Sequence, residues 1–212
     1  MTGVGGVRGA GVLLAAALLA GCSSGDGLAA PGQGYVDGAG TTREIAAAER
    51  TPAVELSGET VEGEPVDLAD LRGSVVVLNV WYADCPPCRA EAPTLQGISE
   101  DYAAQGVRFL GINTRNDSPE AVRAFHETFG VTYPSIRDSA GTALLALRER
   151  GIAAVATPTT VVLDAQGRIA AAVAGQVEAG TLTDMIDRVL TEQPAAGTPA
   201  AEPSAASAGA AG

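Results

Sequence analysis

Residues 51–192 predict an α/β sandwich around a mixed sheet. Three observations carry that class. Two apolar runs, at 75–81 and 107–113, lack the alternation of a half-solvated strand and suit strands covered on both sides. Each is followed by a longer stretch whose apolar side chains recur at the spacing of one helix face. Near the end, a strand–turn–strand pattern precedes one more amphipathic stretch.

In order, VVVLNVW (75–81) is the first strand. CRAEAPTLQGISEDYAAQG follows as a helix with Ala92, Leu95, Ile98 and Tyr102 on one face and a bend expected at Pro93, which has no N–H. VRFLGIN (107–113) is the second strand. Ser118-Pro119 starts a helix that turns Val122, Phe125 and Phe129 inward, serine capping and proline fitting the first turn. Residues 140–150 form a third helix, ended by Gly151. TTVVLDAQGRIAAAVAG (159–175) is a hairpin whose turn, Asp164–Gly167, uses Gly167 for positive φ. Thr181 and Asp184 open a last helix with Leu182, Met185, Ile186, Val189 and Leu190 on its inner face.

The flanks differ in character. Residues 1–21 read as a signal peptide: Arg8 supplies an early positive charge, and the run Ala10–Ala20 is too short for a bilayer span of about 20 residues. Leu19-Ala20-Gly21-Cys22 resembles the bacterial lipobox, in which the cysteine sulfur takes a diacylglyceryl group; two acyl chains anchor stably where one does not. A lipidated Cys22 has no sulfur left for redox work. The plainer alternative is a secretory signal with an incidental cysteine. Residues 22–50, rich in Gly and small polar side chains, read as a flexible tether, and the Pro/Ala/Gly/Ser-rich residues 193–212 as a disordered tail.

The 212-residue chain has a formal charge of −12, and all 13 basic residues are arginine. No basic stripe exists to displace counterions from phosphates, which excludes nucleic acid as a partner. Without lysine there is no amine nucleophile and no Schiff base.

Chemistry concentrates in NVWYADCPPCRAEAP (79–93). In a strand-to-helix turn, Cys85 sits at the helix N-terminus and Cys88 one turn inside. Unpaired N–H groups and the positive end of the helix dipole then face the Cys85 sulfur and stabilise its thiolate, the nucleophile of disulfide exchange. Pro86 and Pro87 fit the first turn, whose N–H groups have no intrahelical partner. A structural zinc site wants four ligands, and beside this pair stands a single histidine. A purely structural disulfide over so short a loop restricts the unfolded chain little. Redox exchange is the reading the residues favour. A second feature is ATPTTVVLD, with Pro158 just ahead of a strand, where a proline that cannot donate to the ladder belongs. A cis Thr157–Pro158 bond would leave the Thr157 backbone to pair with a substrate strand, and a trans proline ending a loop is the bland alternative.

VVVLNVWYADCPPCRAEAPTL, GINTRNDSPEAVRAF, YPSIRD and TPTTVVLDAQGRI, in that order, resemble the thioredoxin superfamily, and within it the membrane-tethered, extracytoplasmic TlpA/ResA-like thiol-disulfide reductases. The resemblance covers nearly all of 51–192 and implies a thioredoxin-like three-layer sandwich with helices on both faces of the sheet. By position it makes Cys85 the attacking thiol, Cys88 the resolving thiol and Pro158 the cis-proline facing them. Thr157, Pro158 and Trp81, the aromatic beneath the site, are grouped as the substrate-binding residues. Glu91 matches the acidic residue that the tethered branch uses near its cysteines; partial burial would raise its pKa and suit it to exchange the Cys88 proton. Asn79 falls where cytoplasmic members place a buried aspartate, and an amide cannot shuttle protons. Asp84 departs from the pattern, which usually has tryptophan there. Its charge would oppose the Cys85 thiolate, and its shape removes an aromatic docking surface.

The resemblance implies a lipid-anchored oxidoreductase outside the cytoplasmic membrane, with no metal and no cofactor beyond its own cysteine pair. Its substrates would be protein disulfides such as those of apocytochrome c, and a membrane thiol-disulfide protein would feed it electrons. Two other functions compete. A peroxidase of the peroxiredoxin branch needs a Pro-x-x-x-Thr/Ser-x-x-Cys setting, against which Leu78 and Tyr82 count. A binding lipoprotein would keep the fold while its cysteines idle. His126 is expected to be a solvated or half-buried helix residue, Arg115, Asn116 and Asp117 to cap the next helix, and Tyr82 and Arg89 to flank the site without a chemical role.

Overall fold

The computed structural model describes residues 41–152 and 156–192. The expected signal peptide, Cys22, most of the tether and the C-terminal tail lie outside the described residues. The strands are β1 (Thr41–Glu44), β2 (Ser57–Glu59), β3 (Pro65–Asp67), β4 (Val76–Trp81), β5 (Arg108–Asn113), β6 (Ser135–Arg137), β7 (Thr159–Leu163) and β8 (Ile169–Ala174); the helices are α1 (Pro86–Ala103), α2 (Pro119–Phe129), α3 (Thr142–Glu149) and α4 (Ala179–Thr191). The main sheet runs β1-β8-β7-β4-β5-β6, and β2 and β3 form a separate hairpin. β4, β5 and β6 are parallel, and β7, β8 and β1 add antiparallel strands on the other side. This is the mixed sheet the sequence predicts.

The unbroken hydrophobicity of β4 has a two-sided cause. Val75, Val77 and Trp81 join a core with α1, α2 and α4, whereas Val76, Leu78 and Val80 join one with α3, Ile45, Val54, Leu56 and Leu68. Helices thus cover both faces. Asn79 alternates onto the α1 face, where its amide reaches Glu91. A one-residue slip of β4 would exchange the two cores and turn this amide away, so the register is strongly fixed.

The expected elements occur where predicted; the β2–β3 hairpin is added ahead of them, and four other differences stand out. First, the fold begins before residue 51. β1 pairs with β8, Ile45 is buried, and the buried Arg50 side chain bonds both Asp164 and Glu192. The tether expected over 22–50 therefore gives way to folded chain by Thr41; the exposed residues TTRE carry no apolar period, and pairing with β8 makes them a strand. Second, β6 is too short to show a period. Its approach depends on Gly111, where a Cβ would stand 2.8 Å from Trp81 Nε1 and collide with Ser135. Third, α1 continues through Pro93 as one helix of 18 residues. Fourth, α4 starts at Ala179, ahead of Thr181, because the chain entering it is already held where Val177 N–H donates to Glu91. No described helix is long and apolar enough to cross a membrane.

Candidate active site

β4 ends at Trp81, the turn Tyr82–Asp84 follows, and Cys85 is the N-cap of α1. Cys85 N–H donates to Tyr82 O (3.2 Å), which closes the turn. Cys85 and Cys88 are joined as a disulfide with their Cα atoms 5.2 Å apart. The Cys85 sulfur accepts from Cys88 N–H at 3.2 Å. Because the two intervening residues are prolines, this is the sole N–H that the first three helical positions can offer it. The leading amides expected around the sulfur thus reduce to one. Cys85 is 0% exposed and Cys88 2% exposed, so attack on the closed disulfide requires local opening.

The Thr157–Pro158 peptide is cis. Thr157 O stands 3.9 Å from the Cys85 sulfur. The turn is fixed by Thr159 Oγ1–H donating to Ala156 O (2.7 Å) and by Gly175 N–H donating to Pro158 O (2.8 Å). Chain from β7, far away in sequence, thereby lies against the nucleophile.

Glu91 is 1% exposed on the inner face of α1. Its Oε1 accepts from Asn79 Nδ2 (2.9 Å) and its Oε2 from Val177 N–H (3.0 Å). Burial raises its pKa to about 7 against the pull of these two bonds. Asn79 also donates to Thr160 Oγ1 (3.3 Å), so β4, α1 and β7 meet in one buried polar cluster under the disulfide helix. Tyr133 is buried as well, and its phenol is pushed up by that burial and by the Glu91 charge.

Trp81 is 2% exposed, with its ring 4.1 Å from that of Phe125 and 5.5 Å from that of His126. It belongs to the core that contains both cysteines. His126 is half-buried, bonds Ser135 Oγ and has its pKa lowered by burial. Asp84 is exposed. Among the described residues no group of His, Cys, Asp and Glu is arranged to hold a metal ion.

The residues expected to cap α2 do something else. Ser118 caps it alone, accepting from Ala121 N–H. Arg115 and Asn116 take left-handed conformations (φ 62° and 55°), and Asp117 Oδ2 accepts from Ala83 N–H (2.6 Å) and Asn113 Nδ2 (2.8 Å). The Arg115 guanidinium lies 4.5 Å over the Tyr82 ring. Arg89 Nη1 donates to Ala83 O at 3.1 Å. The sequence shows these side chains only as a polar run after a strand and a charge on a helix.

A disulfide heading a helix, a cis-proline against it and a buried carboxyl beneath, on a sheet of this order, define a thioredoxin-fold protein of dithiol–disulfide exchange. The chain belongs to the Redoxin family, whose sequence pattern matches residues 46–189. It is similar to the thiol:disulfide interchange protein HelX of Rhodobacter capsulatus, at 33% identity over 68% of this chain and 77% of that protein. The thiol-disulfide oxidoreductase ResA of Halalkalibacterium halodurans is 30% identical over 63% of this chain and 70% of its own length. Among solved structures, a secreted thiol-disulfide isomerase from Corynebacterium glutamicum superposes with a TM-score of 0.66 at 33% identity, covering 71% of this chain and 92% of the other. The chain is a thiol-disulfide oxidoreductase whose redox group is its own cysteine pair.

Proposed function

We propose that the chain is anchored through Cys22 to the outer face of the cytoplasmic membrane and there reduces protein disulfides. A membrane thiol-disulfide protein returns it to the dithiol state. Apocytochrome c, whose cysteines must be reduced before haem attachment, is the client its resemblance to the tethered branch favours. The observation that carries this reading is the Cys85–Cys88 disulfide at the α1 N-terminus, facing cis-Pro158.

In the reduced protein the Cys85 thiolate attacks one sulfur of the client disulfide, and the displaced client sulfur takes a proton. The mixed disulfide forms beside Thr157, whose backbone is placed to align an extended client segment. The carboxylate form of Glu91, populated near neutrality, accepts the Cys88 proton; the Cys88 thiolate then attacks the Cys85 sulfur, and the second client sulfur it displaces takes that proton. The client gains two electrons and two protons, and the chain closes to the disulfide described here. Asn79 holds the Glu91 carboxyl without itself exchanging a proton.

Cys88→Ser removes the resolving sulfur, so cells carrying it should accumulate mixed disulfides through Cys85 with periplasmic or secreted proteins that contain cysteine pairs. Cys85→Ser should trap none. A folded Cys88→Ser protein that traps no client overturns the exchange assignment. A wild-type pair found oxidised in growing cells, and oxidising dithiol clients, overturns the direction alone. Cys22→Ser should move the protein from the membrane fraction to the soluble one; an unchanged distribution removes the lipid anchor.

A further inference from the structure

We propose that Asp117 and Arg89 are positioning residues that grip one peptide residue, Ala83, from both sides and so hold the Cys85 sulfur on Cys88 N–H. Ala83 sits in the turn two residues ahead of the nucleophile, and both its backbone groups are taken by side chains from other elements. Its N–H donates to Asp117 Oδ2 at 2.6 Å, and its carbonyl accepts from Arg89 Nη1 at 3.1 Å. Each gripping side chain is itself held. Asn113 Nδ2 donates to the same Asp117 oxygen, and the Arg89 guanidinium lies 5.0 Å over the Phe129 ring. The loop that carries Asp117 also grips the preceding residues, with Thr114 N–H donating to Trp81 O (2.9 Å) and Arg115 stacked on Tyr82. Arg115 and Asn116 adopt left-handed backbone without being glycine, a conformation kept where the surroundings impose it. What that reversal achieves is the delivery of a carboxylate to Ala83.

The turn is short and its remaining bond is Cys85 N–H to Tyr82 O. Released at Ala83, it would pivot at Cys85, and the sulfur would drift from the one helix amide that the two prolines leave to it. The role rests on Cys85 being the attacking thiol. Asp84 in the turn, Arg89 and Glu91 in the first two turns of α1, and Arg115 and Asp117 on the β5–α2 loop are the charged groups those segments carry.

The test is the pH profile of alkylation of the reduced protein, with the modified cysteine identified by mass spectrometry. Asp117→Ala removes a negative charge, so field effects alone would lower the midpoint for Cys85; loss of the grip raises it and slows alkylation at neutral pH by about tenfold, the worth of one charge-assisted bond. Arg89→Ala should also raise it. Asp117→Asn keeps an oxygen able to accept both bonds and should restore the rate at neutral pH. In Arg89→Ala, amide exchange at Ala83 N–H, which Arg89 does not touch, should accelerate. A lowered midpoint in Asp117→Ala, or a loss of thermal stability with an unmoved midpoint, overturns the grip. If Asp117→Ala does not fold, unchanged Ala83 exchange in Arg89→Ala overturns it instead. Alkylation at Cys88 in place of Cys85 would refute Cys85 as the attacking thiol, and the positioning role with it.

Discussion

Glutamine at position 91 separates the two states of the buried carboxyl. Burial lifts the Glu91 pKa from 4.5 to about 7, against the bonds from Val177 and Asn79. At about 1.36 kcal/mol per pH unit, that interval corresponds to roughly 3 kcal/mol. The native value lies above the unfolded one, so between the two the folded chain retains a proton that the unfolded chain has released. Stability from this group is complete below 4.5, falls as pH rises towards about 7, and is level beyond. Glutamine imitates the protonated acid in shape and has no proton to lose. Its NH2 can only donate, so one of the bonds from Asn79 and Val177 is lost at every pH; beyond that constant offset, Glu91→Gln should gain on the parent by up to about 3 kcal/mol between pH 4 and pH 8, less whatever relaxation around the carboxylate recovers. Urea unfolding of both oxidised proteins across that range measures the difference directly. Parallel stability curves would refute the claim that burial governs this carboxyl.

Pro87→Ala restores an N–H in the first turn and should lower the Cys85 alkylation midpoint by about one pH unit, one further bond to the thiolate; an unmoved midpoint means the sulfur does not sense that amide. A chain beginning at residue 51 should unfold at lower urea than one beginning at residue 41, by about 2 kcal/mol, since Asp164 loses Arg50 while keeping Arg168. Equal midpoints would show that β1 and Arg50 add nothing. Reduction of the buried disulfide by a phosphine should accelerate in urea below the unfolding transition, as local opening becomes easier; a rate insensitive to urea would show the sulfurs are reachable as they stand.

What the sequence makes legible here is what local chemistry carries. The Cys85–Cys88 spacing, the helix faces of α2 and α4 and the Gly167 turn are each written in adjacent residues. The cis state of Pro158 came from the resemblance, since a proline before a strand is compatible with either isomer. β1 is stabilised by β8, more than a hundred residues away, and its own four residues, TTRE, are exposed. Arg50 looks like any surface arginine until Asp164 and Glu192 close on it. Asp117 carries the same difficulty: next to Ser118 it imitates a helix cap, and only the left-handed turn at Arg115 and Asn116 aims it at Ala83. Trp81 was legible as a buried aromatic of the site, but not which ring it would pack on, because the Phe125 contact depends on how α2 lies against the sheet.

The proposed direction of electron flow accords with how little holds the reduced thiolate. Two prolines leave the Cys85 sulfur one helix amide, Cys88 N–H. Asp84 adds a negative charge in the same turn, weakened by its exposure to solvent. Glu91, with a pKa of about 7, is a neutral acid or an anion and in neither form a positive partner for the thiolate. Strongly oxidising couples owe their potential to a well-stabilised reduced form. Here one amide supports that form and Asp84 opposes it while the disulfide lies packed in the core, a balance that accords with giving electrons to a client rather than taking them. An equilibrium with glutathione in which the dithiol predominates even under oxidising ratios would break that inference at its first step, by showing the thiolate to be held more tightly than its single amide provides.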